Sequence, residues 1–198
     1  MDTADTGSET GARLDKHVTR RLAIGNYRVL VLDGLFPEKE IVSLYELLRE
    51  LPYRLSGVDT AGTEHVPHWD SKIPIPLALS TAVFKQCIEA AARLMASSPA
   101  SLTRVHANLH LYGDMQFPHT DLPGGVTGLY FANPDWDEQW FGETVFYDEH
   151  REPLYTVAPR PGRLVLFHGD ILHRGGVPSR TCFPPRITLA FKFARPDS

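Results

Sequence analysis

Alternating apolar and polar residues predict strands in the second half of the chain. Successive side chains of a strand point to opposite faces, and the segment from Leu102 to Tyr112 follows this period closely. One face would carry Val105, Ala107, Leu109 and Leu111, and the other His106, Asn108, His110 and Tyr112. Further strands are predicted at Thr127 to Ala132, Glu143 to Tyr147, Leu154 to Val157, Arg163 to His168 and Arg186 to Phe193.

Apolar residues at helical spacing predict two helices in the first half. The first begins at Pro37, because proline suits the first helical position, and stops near Pro52. The second covers Thr81 to Ser98. Tyr27 to Leu32 reads as a strand, and the Pro- and Gly-rich residues 53–76 read as a long irregular loop. Helices followed by many short strands predict a mainly β fold with flanking helices, a jelly roll (double-stranded β-helix) buttressed by two N-terminal helices.

Composition narrows the protein class. The 198 residues are 42% hydrophobic, which suits one globular domain over residues 22–198, preceded by a flexible polar tail over residues 1–21. A net charge of −4 argues against a nucleic-acid-coating protein, and no apolar run is long enough to span a membrane. The N-terminus lacks the apolar core of a signal peptide, so we expect a cytoplasmic protein. We expect it to be a monomer or a homodimer.

The strongest candidate chemistry is the segment His119-Thr120-Asp121. In an extended segment, side chains two apart point the same way, so His119 and Asp121 can reach one ion. One further histidine would complete the two-His-one-carboxylate face of non-haem Fe(II) oxygenases. Both His168, at the end of a predicted strand, and His173, just beyond it, are candidates for this third ligand.

Four motifs then occur in one order along the chain. They are Asn108-x-His110-x-Tyr112-Gly113, His119-x-Asp121, Trp140-Phe141-Gly142-Glu143-Thr144, and the strand Arg163 to Phe167 followed by His173 and Arg186. Together they resemble the Fe(II)- and 2-oxoglutarate-dependent dioxygenases, in the branch similar to prolyl 4-hydroxylases. The resemblance covers about Tyr27 to Phe193, and it departs at Phe141, where that branch usually has glycine.

The resemblance implies a role for each matching residue. His119, Asp121 and His173 would bind Fe(II) and so form the catalytic centre, and the family pattern selects His173 over His168. The carboxylate Asp121 points to hydroxylation, because related halogenases have a small residue there. Arg186 would hold the distal carboxylate of 2-oxoglutarate, and O₂ is the second cosubstrate. The residues expected to assist with the cosubstrate are Thr188, Tyr112 and Asn108.

The implied reaction hydroxylates an unactivated C–H bond, with succinate and CO₂ as coproducts. We expect the substrate to be a small molecule, such as a free or carrier-bound amino acid or a natural-product intermediate. Candidate substrate contacts are His68, Trp69, His110 and Trp140. Three alternatives stay open: a prolyl or peptidyl hydroxylase acting on a protein, a non-catalytic metal- or ligand-binding jelly roll, and a zinc or manganese hydrolase or isomerase with the same triad.

Overall fold

The computed structural model describes residues 14–97 and 101–195, which form two antiparallel sheets. The main sheet contains β1 (Val18–Ile24), β2 (Tyr27–Leu32), β3 (Arg54–Gly57), β4 (His68–Ile73), β5 (Leu102–His110), β6 (Val126–Phe131), β9 (Leu164–His168) and β11 (Arg186–Phe193). Its strand order is β1-β2-β9-β6-β11-β5-β4-β3. The small sheet contains β7 (Thr144–Tyr147), β8 (Pro153–Val157) and β10 (His173–Arg174), in the order β10-β7-β8.

Helices cover one face of the main sheet. They are α1 (Glu38–Arg49), α2 (Ile75–Ala78) and α3 (Ala82–Met95), and a short 3₁₀ helix spans Glu138–Trp140. The larger apolar core joins α1 and α3 to this sheet, and Phe84 of α3 meets Phe191 of β11 edge-on with ring centroids 5.5 Å apart. The prediction of a jelly roll buttressed by helices is confirmed.

The other face of the main sheet turns towards the small sheet. A second apolar cluster fills part of this space, where Phe146 of β7 packs against Phe167 of β9. Strand β11 divides its side chains between the two sides by simple alternation. Ile187, Leu189, Phe191 and Phe193 join the core beneath the helices, while Arg186, Thr188, Ala190 and Lys192 line a cavity on the opposite side.

The prediction of a flexible tail over residues 1–21 is wrong for its second part. Val18–Ile24 forms β1, which pairs with β2 at the edge of the main sheet, and Leu14 is buried in the larger core. Residues 1–13 lie outside the described residues. The predicted second helix also ends earlier, at Met95, and its expected last residue, Ser98, lies outside the described residues.

The prediction of an irregular loop over residues 53–76 holds only for residues 58–67 and is wrong on either side of them. Two strands in this segment, β3 and β4, extend the main sheet beside β5, and α2 follows them. The strands are short and polar, so their pairing depends on the neighbouring β5 more than on their own composition. Strand β5 itself ends at His110 instead of Tyr112. Among the described residues, no helix combines the length and the apolar character that a membrane span needs.

Candidate metal centre and cosubstrate pocket

A backbone bridge brings two histidines together, one from the segment after β5 and one from β10. The amide N–H of His119 donates to the carbonyl of His173, and the amide of His173 donates to the carbonyl of His119, both at 2.9 Å. His173 also pairs with Phe146 in the small sheet. The imidazole rings therefore lie side by side, with centroids 4.5 Å apart.

Both imidazoles use the same nitrogen for a local hydrogen bond. Nδ1 of His119 lies 2.8 Å from the carbonyl of Phe117, and Nδ1 of His173 lies 2.8 Å from the carbonyl of Ile171. A donor at Nδ1 fixes the tautomer and leaves the Nε2 lone pair for a metal. Burial lowers the pKa of His173 to about 3, so this ring is neutral, as a metal ligand must be.

Asp121 faces both Nε2 atoms. Its Oδ1 lies 3.9 Å from Nε2 of His119, and its Oδ2 lies 3.5 Å from Nε2 of His173. Oδ2 also accepts a hydrogen bond from Thr127 at 2.5 Å and contacts the ammonium of Lys192. Burial alone would raise the pKa of Asp121, but Lys192 and His173 outweigh it and hold the pKa well below its usual value. The carboxylate is therefore ionised and ready to bind a cation.

These three side chains fit a single metal ion. One ligand atom from each of His119, Asp121 and His173 lies within 4.8 Å of the other two. Two imidazole nitrogens and one carboxylate oxygen on one face are the donors that suit non-haem Fe(II), and they leave positions free for other ligands. The competing candidate His168 is turned away, because its Nδ1 is 3.1 Å from the amide nitrogen of Arg28.

Arg186 lies buried at the start of β11 and points into the same cavity. Its Nε donates to the carbonyl of Gly142 at 2.8 Å, and its guanidinium carbon lies 5.3 Å from the ring centroid of Phe131. Its two terminal nitrogens have only long contacts, at 3.4 Å, to His110 and Thr144. Burial lowers the pKa of Arg186 to about 10, so it stays charged at neutral pH. A guanidinium held in this way can bind a carboxylate through its free edge.

The cavity between the sheets connects the histidines, Asp121 and Arg186. Its volume is about 580 Å³, and Thr188 and Asn108, both expected to help hold the cosubstrate, line it. They are partners in the register of β11 and β5. The side-chain oxygen of Asn108 is buried without a hydrogen-bond partner among the described residues. An unpaired buried acceptor is costly, so it is a natural place for a ligand to bind.

The structure separates the four residues expected to contact substrate. His68 lines the cavity, and its Nδ1 lies 3.7 Å from Oδ1 of Asp59. His110 is buried behind it, against Arg186. Trp69 pairs with Leu109 and therefore lies on the opposite, helix-covered face of the sheet. Trp140 stacks edge-on against Trp136 outside the cavity lining. Direct substrate contact by Trp69 or Trp140 has no support from these positions.

Tyr112 also lies apart from the cavity. Strand β5 ends before it, and Tyr112 is 57% exposed, with its ring beneath the guanidinium of Arg180. The expected face shared with Asn108 ends at His110, because the following residues turn at Gly113, whose φ is +90°. The expected contact of the Tyr112 hydroxyl with the cosubstrate is therefore not supported by its position.

Three residues of the site were not predicted. Thr127 and Lys192 hold Asp121, and Asp59 lies 3.6 Å from Nδ1 of His119 while accepting the amide of Phe117 at 2.7 Å. The alternation of β11 was a usable signal for Lys192, since it puts a lysine on the same face as Arg186. No sequence pattern pointed to Asp59, because it lies in the segment predicted to be an irregular loop, where side-chain directions cannot be inferred.

Comparison with known proteins agrees with this geometry. Residues 107–193, which include every proposed metal ligand and Arg186, match the profile of the 2OG-Fe(II) oxygenase superfamily. No curated protein sequence gives a significant match to the chain.

Solved structures share the fold at low sequence identity. A Pseudomonas putida prolyl-4-hydroxylase aligns with a TM-score of 0.64 and 16% identity, over 96% of this chain and 100% of that one. A Trichoplax adhaerens prolyl hydroxylase, solved with a hypoxia inducible factor peptide, aligns with a TM-score of 0.64 and 20% identity, over 99% and 98% of the two chains. The alpha-ketoglutarate-dependent epimerase SnoN of nogalamycin biosynthesis aligns with a TM-score of 0.62 and 18% identity, over 94% and 84%.

The fold, the His-Asp-His cluster and the superfamily match agree with the resemblance carried by the sequence motifs. This family uses Fe(II), 2-oxoglutarate and O₂. Residues 107–193 are thus similar to the 2OG-Fe(II) oxygenase superfamily, and the whole chain shares the fold of the prolyl hydroxylase structures.

Proposed function

We propose that His119, Asp121 and His173 hold the Fe(II) and that Arg186 anchors 2-oxoglutarate, with Thr188 and Asn108 beside it. One observation carries this assignment: the three candidate metal ligands and the guanidinium of Arg186 line the same cavity. The two imidazoles supply nitrogen ligands, and Asp121 supplies one negative charge. Arg186 offers a fixed cation to the far end of a dicarboxylate.

If bound there, Fe(II) together with 2-oxoglutarate and O₂ would supply the oxidising power to hydroxylate an unactivated C–H bond, giving succinate and CO₂. The chain's own residues position the reactants and keep the site dry. Phe146 and Phe167 pack against the ring of His173 and cover it from solvent. No side chain needs to act as a nucleophile.

We propose a small molecule as the substrate, such as a free or carrier-bound amino acid. A cavity of about 580 Å³ is within the usual range for small-molecule sites, and it must take the cosubstrate as well. The room left beside the cosubstrate suits one small molecule. The peptide-bound Trichoplax relative supports a second candidate, hydroxylation of a residue in a protein, which would enter the same cavity as a single side chain.

The test begins with anaerobic binding. Fe(II) followed by 2-oxoglutarate should give a visible charge-transfer band, and O₂ should then yield succinate. Asp121→Ala and His119→Ala should lose both signals. Arg186→Gln should keep metal binding but weaken 2-oxoglutarate binding roughly 10- to 100-fold, as expected when a charge-assisted hydrogen bond is lost.

Arg49→Gln, which removes an exposed arginine on α1, is the matched control and should behave like the parent protein. An unaltered 2-oxoglutarate affinity in Arg186→Gln would show that the anchor lies elsewhere. Absence of both band and succinate in the parent protein would contradict the assignment of the site. Succinate formation is then measured with candidate amino acids and, in parallel, with proline-containing peptides. The class that stimulates succinate formation identifies the kind of substrate.

A further inference from the structure

Three cationic side chains occupy adjacent positions on the cavity side of the main sheet. Lys72 lies on β4, Arg104 on β5 and Lys192 on β11, and all three line the cavity. Arg104 is the register partner of Lys192, and Lys72 is the partner of His106, two residues from Arg104. Neighbouring strands are about 4.8 Å apart, and same-face residues of one strand are about 7 Å apart. We call these three residues the cationic patch.

Two members of the cationic patch have no hydrogen-bonding or ionic partner within residues 14–97 and 101–195. Lys192 contacts Asp121, but neither Lys72 nor Arg104 makes a hydrogen bond or ion pair with any described residue. Both are exposed at the cavity mouth, where a ligand can reach them. Like charges on adjacent strands repel one another, so the arrangement costs stability unless an anion joins it.

The charge of the whole cavity also favours an additional anion. Its lining contains four cationic side chains, the cationic patch and Arg186, but only two carboxylates, Asp59 and Asp121. Fe(II) and doubly charged 2-oxoglutarate cancel each other when both bind. The loaded cavity therefore keeps an excess of two positive charges, located on Lys72 and Arg104.

His106 lies on the same face, opposite Lys72 and two residues from Arg104. An unused polar atom of its ring is independent evidence that a ligand binds here. Its Nδ1 is buried and has no hydrogen-bond partner among the described residues. Burial lowers the pKa of His106 well below its usual value, and Lys192 and Arg104 lower it further. The ring is neutral, so it offers an unused hydrogen-bonding atom to whatever binds next to Arg104.

The cationic patch is distinct from the proposed 2-oxoglutarate anchor. Arg186 and Lys192 lie six positions apart at opposite ends of the cavity-facing row of β11, a separation of about 20 Å between Cα atoms. One five-carbon dicarboxylate bound at Arg186 and the metal cannot also neutralise Lys72 and Arg104.

We infer that the substrate of this oxygenase carries an anionic group, a carboxylate or a phosphate, that binds to Lys72 and Arg104 at the cavity mouth. This inference rests on the proposed function, since it takes the Arg186 end of the cavity to be filled by 2-oxoglutarate. Arg104 can grip such a group with two parallel N–H donors, and Lys72 adds a point charge. A fixed anion at this position would orient the rest of the substrate towards Asp121 and the two histidines.

The test uses simple anions as probes of the loaded protein. Mn(II) replaces Fe(II), 2-oxoglutarate is kept saturating, and acetate, inorganic phosphate or neutral acetamide is added. Paramagnetic broadening of the probe's NMR signal reports binding near the metal. We expect acetate or phosphate to be broadened at least tenfold more than acetamide. Broadening confined to phosphate would indicate a phosphorylated substrate, and broadening of acetate a carboxylate.

The double variant Lys72→Met/Arg104→Met should lose this broadening while binding Mn(II) and 2-oxoglutarate as the parent does. The control Lys39→Met/Lys85→Met makes the same charge change on α1 and α3 and should have no effect. Equal broadening of acetate and acetamide, or broadening that persists in the cationic-patch variant, would overturn the inference. A failure of Mn(II) and 2-oxoglutarate to bind the parent protein would instead overturn the proposed function, which separates the two.

Discussion

The two oxygens of Asp121 have different surroundings. Oδ2 is held by the Thr127 hydroxyl and by Lys192, whereas Oδ1 lies 3.9 Å from Nε2 of His119. One oxygen is thus fixed by protein donors, and the other is left for a metal. Partners of this kind orient a ligand and tune its affinity without touching the ion.

Replacing Thr127 by valine tests this division. The variant keeps the shape of the side chain but removes the hydroxyl, so Asp121 loses one of the two groups that hold it. We expect Mn(II) affinity to fall roughly 10- to 100-fold, the usual effect of removing such a partner. Electron paramagnetic resonance of free Mn(II) measures this directly. Thr156→Val, on an exposed position of β8, should leave the affinity unchanged; equal losses in both would refute the role of Thr127.

Individual site residues could be predicted from the sequence when they belong to a motif. Residues that only hold a motif residue in place were missed. His119, Asp121 and Arg186 follow from spacing and resemblance. Thr127 and Lys192 are ordinary residues of two strands, and only the register of β6 against β11, where they are partners, brings them to Asp121. At Tyr112 the alternation predicted too much. The strand ends two residues earlier, at His110, so Tyr112 does not share the face of Asn108.

Among the structural elements, the turn before β7 positions the proposed cosubstrate anchor. Gly142 has a φ of +79°, and its carbonyl accepts the Nε of Arg186. A Cβ on Gly142 would lie 3.0 Å from Cδ of Arg186 and 3.2 Å from Trp136. The preceding Phe141 also has a positive φ, 57°, in a region that favours glycine.

Gly142→Ala should weaken 2-oxoglutarate binding. The added methyl group would push against the Arg186 side chain, and we expect the affinity to fall about tenfold, equivalent to about 1.4 kcal/mol. Titration of the Fe(II)-loaded protein with 2-oxoglutarate measures it. Gly113→Ala is the matched control: its φ is also positive, at +90°, but a Cβ there meets nothing within 4 Å. A similar loss in both variants would mean that backbone strain, and not contact with Arg186, is responsible.

Elements with a long clear period were predicted well. Arg186–Phe193 and Tyr27–Leu32 agree with the structure at both ends, because each buries apolar residues along its length. Strands β1, β3 and β4 were missed, since they lie at or near the sheet edges; β3 and β4 are mostly polar, and two arginines interrupt the apolar residues of β1. An edge strand gains its stability from pairing with a distant neighbour, and single-sequence periodicity does not record that pairing.

For the molecule as a whole, a largely buried ion pair joins three neighbouring strands of the main sheet that come from distant parts of the sequence. Arg163, just before β9, donates from Nε and a terminal nitrogen to the two carboxylate oxygens of Asp33, each at 2.8 Å. Asp33 follows β2 and also accepts the hydroxyl of Thr19 on β1. Burial raises the pKa of Asp33, but the bonds from Arg163 and Thr19 outweigh it and lower the pKa below its usual value of 3.8.

The lowered pKa predicts how stability depends on acidity. A depressed native pKa contributes stability above the unfolded-state value and loses it as the pH falls through the native one. Asp33→Asn should therefore lower the free energy of unfolding by about 2 kcal/mol at about pH 7, with a smaller difference at about pH 3. Urea unfolding at the two pH values measures this. Asp15→Asn removes the exposed pair with Arg21 and should change stability little; a penalty for Asp33→Asn that does not shrink in acid would contradict the ionic origin.

The mutual backbone hydrogen bonds of His119 and His173 have a mechanical consequence. These residues are far apart in sequence, and a metal ion bound by both would close the chain between them into a loop, much as a cross-link does. Unfolding would have to open that loop or release the ion, so metal loading and resistance to unfolding would rise together. The ion would therefore stabilise the fold as a cross-link between the segments of His119 and His173, in addition to its role in the reaction.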